Sequence, residues 1–142
     1  MRIIRSARRL GVSSSRIDDR SLPVTPLDEA FRTLAASAFR RKFRLQGRER
    51  AYLATWGLPH VMKQARELIL KRVAPAEIAN DGRQTPWRNH PVFVAQHATA
   101  TCCRGCLEKT YGITKGHALT DEELAHVLAA IERWLVTQQS GD

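Results

Sequence analysis

The sequence predicts a mainly α-helical protein, a compact bundle of about four to five helices with a long loop and at most one short strand. Apolar residues recur three and four positions apart in several segments, which is the spacing of one helix face. Only PVFVAQ, residues 91–96, resembles a strand, and a lone strand has no pairing partner. The 142 residues suffice for one domain with a real core, which we place at residues 25–139.

The first predicted helix follows the stretch VTPLDEAFRTLAAS. Thr25 is a suitable N-cap, Pro26 suits the first helical position, and Asp28 falls in the first turn, where the helix dipole favours an acid. Apolar residues then recur at helical spacing, at Leu27, Phe31 and Leu34.

The middle of the chain predicts a longer helix and then a long loop. Apolar residues keep helical spacing between Leu58 and Val73, and Pro75 ends the pattern. Residues 76–89 are rich in turn formers and predict the loop.

The last predicted helix begins at a capping box formed by Thr120 and Glu123. Its apolar residues share one face, which we expect to be buried: Leu124, Val127, Leu128, Ile131, Trp134 and Leu135.

Charge raises the question of a polyanionic partner. The net charge is +9, and residues 1–24 predict a basic, disordered tail. The segment from residue 40 to residue 50 is a candidate nucleic-acid interface, although a solvated face around buried Phe39 and Phe43 is the simpler explanation. Its basic residues are Arg40, Arg41, Lys42, Arg44, Arg48 and Arg50.

Other features exclude two broad classes of protein. No apolar run approaches the roughly 18 residues of a membrane-spanning helix. Three cysteines, two of them adjacent, cannot build the disulfide framework of a small secreted domain. We therefore expect a cytoplasmic protein whose clustered thiols bind a metal or do redox work.

All three cysteines lie within five positions, in a segment that predicts a helix. Thr101 is a suitable N-cap, Cys102 then begins the helix, and Gly112 ends it after about three turns. At about 100° per residue, Cys103 and Cys106 share one face with Cys102. Thiols at a helix N-terminus have lowered pKa values, and the thiolate is the form that binds metal and attacks electrophiles.

A zinc site is the first interpretation of this cluster. Its predicted ligands are the three sulfurs of Cys102, Cys103 and Cys106, with His97 as the fourth donor. His90 and His117 are the reserve donors, and an iron–sulfur cluster is the less favoured occupant. Since three thiolates and a histidine close a tetrahedral site, we expect a structural role rather than catalysis.

Other interpretations remain open. Cys103 to Cys106 form a CxxC pair that, after a strand, is typical of thioredoxin-like proteins. An enzyme could use Cys103 as a nucleophile with His90 or His97 as its base. Its pocket would be lined by the neighbouring polar run, Asp81, Arg83, Gln84, Thr85, Arg88 and His90. The cysteines could also be plain apolar core residues.

The stretch HPVFVAQHATATCCRGCL, residues 90–107, resembles the core of a bacterial family known as domain of unknown function 4186. The likeness extends from about Pro26 to Trp134. In that family the cysteine helix continues with a Trp-His pair, where this chain has Thr110 and Tyr111. The resemblance implies that this segment is the functional centre and that a donor other than residue 111 completes any metal site here. It carries over no activity.

Overall fold

In a computed structural model, the described part of the chain is residues 24–140, which form seven helices and no strand. The predicted tail thus lies outside the described residues except for Val24. The helices are α1 (Leu27–Ala36), α2 (Ala38–Arg41), α3 (Gly47–Trp56), α4 (Leu58–Arg72), α5 (Pro91–Ala98), α6 (Arg104–Tyr111) and α7 (Asp121–Ser140). Within this range, no helix is both long and apolar enough to span a membrane.

The mainly helical prediction is confirmed, but the number of helices is higher than four to five. The basic segment contributes two of the additional helices, α2 and α3. Ser37 caps the single turn of α2 by accepting from the Arg40 N–H, and Gln46 and Glu49 form a capping box at the start of α3.

The third additional helix is α5, which contains PVFVAQ, the segment that resembled a strand in the sequence. His90 caps this helix, Pro91 occupies its first position, and seven of its eight residues are buried. A short apolar run does not distinguish a buried strand from a buried helix by periodicity. No described strand is present to pair with it, and α5 packs instead among α2, α3, α4 and α7.

The first helix begins later than predicted, because Thr25 does not cap it. The residue before α1 is Pro26, which offers no side-chain cap, and the Thr25 backbone bonds elsewhere. Its N–H donates to the Tyr111 carbonyl at 2.9 Å, and its carbonyl lies 2.8 Å from His126 Nε2. The chain entering the domain is therefore attached to α6 and α7.

The long helices α4 and α7 follow the prediction. In α4, the apolar face buries Val61, Ala65 and Ile69. The capping box at the start of α7 is present, since Thr120 Oγ1 accepts from the Glu123 N–H and Glu123 Oε1 accepts from the Thr120 N–H. The predicted loop at residues 76–89 contains only turns and bends. This loop and the end of α5 bring the cysteine segment into place.

Candidate metal centre

The cysteine helix begins two residues later than predicted, at Arg104 rather than at Cys102. Thr101 is not its cap, because the Thr101 hydroxyl pairs with the Thr99 hydroxyl instead. Cys103 is the N-cap: its backbone is extended and its Sγ accepts from the Cys106 N–H at 3.4 Å. A sulfur can thus replace the hydroxyl that usually caps a helix, which the sequence pattern did not suggest.

The predicted end of this helix is confirmed. Gly112 adopts the left-handed conformation with φ of 75°. The N–H of Gly112 bonds to the Glu108 carbonyl, and the N–H of Ile113 bonds back to the Leu107 carbonyl, so carbonyls of the last turn are satisfied.

Asp81 also holds the N-terminus of α6, from the long loop. Its two carboxylate oxygens accept the N–H of Arg104 at 2.8 Å and of Gly105 at 3.1 Å. Burial raises the pKa of Asp81, but hydrogen bonds from Gln84 and from these two amides outweigh burial and hold it below its usual value. The loop is therefore fastened to the first turn of the cysteine helix.

The connection between α5 and α6 turns at Ala100, which has a left-handed φ of 60°. The N–H of Thr101 bonds back to the Gln96 carbonyl at 2.8 Å, so α5 ends in a Schellman motif with alanine where glycine is usual. This turn sends the chain from the end of α5 straight to Cys102.

The three sulfurs converge, as predicted. Their Sγ atoms all lie within 4.8 Å of one another, and those of Cys102 and Cys106 are 3.6 Å apart. Cys102 and Cys103 are 7% exposed, and Cys106 is partly buried. Ligands at a Zn–S distance of about 2.3 Å stand about 3.8 Å apart at the corners of a tetrahedron. The Cys102 and Cys106 sulfurs therefore have the spacing of one edge of such a tetrahedron, and the Cys103 sulfur lies within 4.8 Å of both.

Arg40 reaches this cluster from α2. Its Nη2 donates to Cys106 Sγ at 3.2 Å, and its Nη1 lies 3.9 Å from Cys102 Sγ. The same Nη1 donates to the His97 carbonyl at 2.6 Å. Sequence reasoning assigned Arg40 to the basic surface and missed this role, since no local pattern links residues separated by 66 positions.

These contacts give the three thiols different pKa values. The pKa of Cys106 is lowered, because Cys102 and Cys103 donate hydrogen bonds to its sulfur and Arg40 adds a third. The pKa of Cys102 is raised, because its proton is held in hydrogen bonds to the other two sulfurs and burial disfavours its charge. Cys106 is therefore the first of the three to become a thiolate.

His97 lies beside the cluster on α5. Its Nε2 is 3.2 Å from the Thr85 carbonyl and 3.1 Å from the Pro86 carbonyl, and its ring stacks on Trp87 with 4.0 Å between centroids. Burial lowers its pKa, which favours the neutral ring. With the Nε2 proton directed at carbonyls, Nδ1 is the nitrogen left for a metal. Among the described residues, the group of ligand atoms within 4.8 Å of one another contains only the three sulfurs. His97 as fourth ligand stays a prediction.

The two reserve histidines have other partners. His90 Nδ1 accepts from the Val92 N–H at 3.1 Å, and its Nε2 lies 3.1 Å from Gln64 Oε1. His117 Nε2 lies 2.8 Å from a carboxylate oxygen of Glu123. Both of these histidines are thus within hydrogen-bonding distance of groups other than the three sulfurs.

The polar run beside the cysteines mostly supports the site from the loop side. Thr85 Oγ1 donates to the Cys102 carbonyl at 2.7 Å, and Gln84 donates to Asp81. Arg88 pairs with the buried Glu49, whereas Arg83 is exposed. These side chains fasten the loop to the helices, and the catalytic pocket that they were predicted to line stays a prediction.

Arg104 is a second residue whose role was missed, since the sequence showed it only as a spacer in CxxC. Its side chain is almost fully buried, at 2% exposure. Nη1 donates to the Pro75 carbonyl at 3.0 Å, and Nη2 donates to the Thr114 carbonyl at 2.9 Å. The guanidinium thereby joins the end of α4 to the segment that follows α6.

The basic segment does not present one continuous surface. Arg40 points at the sulfurs, and Arg50 donates to the Gln138 carbonyl at 2.8 Å. The remaining four side chains are exposed: Arg41, Lys42, Arg44 and Arg48.

Comparison with known proteins places the site within a described family. Residues 28–136 match the family model described as domain of unknown function 4186, and no solved structure matches the chain. The Tyr111 side chain is fully buried and its hydroxyl donates to the Thr99 carbonyl at 2.6 Å. In this chain, residue 111 is thus occupied in packing the core beneath the turn between α5 and α6.

Proposed function

The chain belongs to the domain of unknown function 4186 family, and we propose that its function centres on a structural zinc site. The observation that carries this proposal is the convergence of three buried or half-buried sulfurs within 4.8 Å, two of them separated by 3.6 Å, close to the edge of a zinc tetrahedron. Four side chains would hold the ion: Cys102, Cys103, Cys106 and His97.

Charge balance supports an ion at this place. Three thiolates and one Zn²⁺ leave one net negative charge, which is costly in a site where two of the sulfurs are 7% exposed. The guanidinium of Arg40, at 3.2 Å from Cys106 Sγ, neutralises that charge. Arginine keeps its proton at any physiological pH, so the compensation is permanent.

The surroundings of His97 support it as the fourth donor. A metal-binding histidine usually donates its other N–H to a carbonyl or carboxylate, which orients the ring and fixes its tautomer. The Thr85 and Pro86 carbonyls provide such partners for Nε2. Nδ1 would then complete a closed four-coordinate site, which leaves no position for a catalytic water.

A structural ion here would tie the end of α5 to the first turn of α6, at the point where the long loop is attached. The ligands come from α5, from the connection after it and from the first turn of α6, while Thr85 bonds the Cys102 carbonyl from the loop. Because such a site does not exist in the unfolded chain, binding energy becomes folding energy. We therefore expect removal of the metal to unfold or loosen the helices around α6.

Elemental analysis of native, reduced protein tests the proposal directly. We expect close to one equivalent of zinc, and less than about 0.2 equivalents of any transition metal would refute a resident site. Iron with a visible absorption band would instead indicate the iron–sulfur alternative, since donors of this kind also suit iron.

Substitutions then identify the ligands. C106S should lower zinc occupancy, and H97N should lower it too if Nδ1 is the fourth donor. H90N is the matched control, because asparagine preserves the helix cap that His90 provides and should leave zinc occupancy unchanged. Full zinc occupancy in H97N would exclude His97 as a ligand, and the three sulfurs would remain the proposed ligands.

A thiol-based activity is the second candidate, and the contact between Arg40 and Cys106 favours it. Cations beside a thiol stabilise the nucleophilic thiolate, so Cys106 rather than Cys103 would react in metal-free protein. Alkylation followed by peptide mapping tests this. Modification of Cys106 well below pH 8 would support thiol chemistry, whereas protection that depends on zinc would support the metal site. All three cysteines are free thiols, so both the zinc site and the thiol activity would suit a reducing cytoplasm.

A further inference from the structure

Two large aromatic side chains lie exposed next to the metal centre. Phe39 is 42% exposed and Trp87 is 57% exposed, although burial of rings this size is strongly favourable. Together with the buried Phe43 they form one group, called here the aromatic platform (Phe39, Phe43 and Trp87). An exposed apolar group of this kind on a charged surface marks an interaction site.

The platform has a defined geometry. The rings of Trp87 and Phe43 are nearly parallel, at 8°, with centroids 6.3 Å apart. The Phe39 ring stands perpendicular to both, at 88° to Phe43 and 90° to Trp87. Flat rings with exposed area offer surfaces on which another planar group can stack.

The position of Trp87 is fixed from beneath. Its ring stacks on His97, and the carbonyl of the preceding Pro86 contacts His97 Nε2 at 3.1 Å. The exposed part of Trp87 is therefore presented by a rigid support, so little conformational entropy is lost when a ligand stacks on it.

Cations surround the platform. Lys42 Nζ lies 4.7 Å from the centroid of Phe39 and 5.6 Å from that of Phe43. Arg41 and Arg44 are exposed close by in the chain, and the stretch AFRRKFRLQGR, residues 38–48, contains no acidic residue. The partner of this surface should therefore be an anion with flat apolar groups.

We propose that the aromatic platform and its cations bind single-stranded nucleic acid. Bases of a single strand stack on exposed aromatic rings irrespective of sequence, while lysine and arginine contact the phosphates. A duplex keeps its bases stacked inside and leaves the rings without a partner. The net charge of +9 favours a polyanion.

This surface differs from the one that the sequence predicted at residues 40–50. It loses Arg40 and Arg50, whose partly buried side chains bond Cys106 and the Gln138 carbonyl, and it gains Phe39 and Trp87. It goes beyond the proposed zinc site, since stacking requires no metal ligand to change.

The test measures binding of the full-length protein to a fluorescent single-stranded oligothymidylate. The comparison ligand is an abasic oligonucleotide of equal length, which carries the same phosphates and no bases. We expect the abasic strand to bind at least about fivefold more weakly, because stacking on one aromatic ring is worth that much. Equal affinity for the two strands would overturn the proposal, as would equal or tighter binding to heparin or to vesicles of anionic lipid.

The chain offers a matched control. W87A should weaken binding at least about fivefold, whereas W56A should not, although Trp56 is 55% exposed and also stacks on a histidine, His60. Equal effects of the two substitutions would refute the platform.

W87A also removes the contact between Trp87 and His97, so a second measurement tests stacking in protein that keeps Trp87. In W56F/W134F protein, which keeps Trp87 as its single tryptophan, stacking of a base on the platform should quench the fluorescence, and the abasic strand should not. Unchanged fluorescence at saturating oligothymidylate would contradict stacking on Trp87.

Discussion

Arg40 Nη2 donates a hydrogen bond of 3.2 Å to Cys106 Sγ, so a side chain from the most basic part of the chain ends inside its thiol cluster. The guanidinium also donates to the His97 carbonyl at 2.6 Å, which links the end of α5 to the start of α6. One residue thus supplies the charge and part of the scaffold for the proposed zinc site.

Replacement of Arg40 should weaken zinc binding. Loss of a partner of a metal ligand typically costs tenfold to a hundredfold in affinity, so R40M should raise the dissociation constant by about that factor. R40K should lose less, because it keeps the charge but not the two-pronged contact. Competition with a chromophoric chelator measures the change, with the exposed R41M as control. Unchanged affinity in R40M would show that the guanidinium is not coupled to the ion.

Removal of the Asp81 carboxylate should destabilise α6. D81A leaves the N–H groups of Arg104 and Gly105 without their acceptor, and a lost helix cap typically costs about 1 kcal/mol. Urea unfolding measures the difference. D28A is the control, because Asp28 is 80% exposed and pairs with the exposed Arg133. A D81A protein as stable as wild type would show that water replaces the carboxylate without loss.

Arg104 should be essential for stability and not for chemistry. R104M removes a buried guanidinium and leaves the Pro75 and Thr114 carbonyls without donors, which should cost about 3 kcal/mol. Thermal and urea unfolding measure the loss, and R83M, at an exposed arginine, should change stability by less than about 0.5 kcal/mol. Similar effects in both variants would mean that the buried contacts of Arg104 contribute little.

His90 should make the protein less stable below pH 6.5. Burial, and then the charge of His60, lower its pKa in the folded state below the ordinary 6.5. As pH falls through 6.5, the unfolded chain binds the proton before the folded protein does. The free energy of unfolding therefore has its full value above that pH and decreases below it. Protonation at Nδ1 would also break its bond from the Val92 N–H, which caps α5.

The measurement compares wild type with H90N in urea between pH 7.5 and pH 5.5 at equal zinc concentration. The slope of unfolding free energy against pH reports how many more protons the unfolded state binds than the folded state. That number should be smaller in H90N by up to about one proton. The same slope in both proteins would contradict a shifted His90.

The sequence predicted the regular parts of the fold well, because their signals are local. The capping box at Thr120 and Glu123 and the stop after Val73 both depend on neighbours within one turn. PVFVAQ resembled a strand because its valines favour one, whereas its burial in a helix is a property of the whole fold.

The site was predicted in part for the same reason. Three cysteines within five positions must lie close together, and their convergence was visible from spacing. Arg40 and Asp81 reach the cluster through tertiary packing, and no periodicity could place them there. The start of α6 was misplaced because a cysteine cap competes with the more usual threonine.

The left-handed turn at Ala100 also bears on how the chain can change during evolution. Surface loops commonly accept inserted or deleted residues, but the connection between α5 and α6 is short and the carbonyl of Gln96 is tied to the N–H of Thr101. One added residue would rotate the cysteine segment away from His97 and Arg40. We therefore expect proteins that share this centre to keep the distance from histidine to cysteines without gaps.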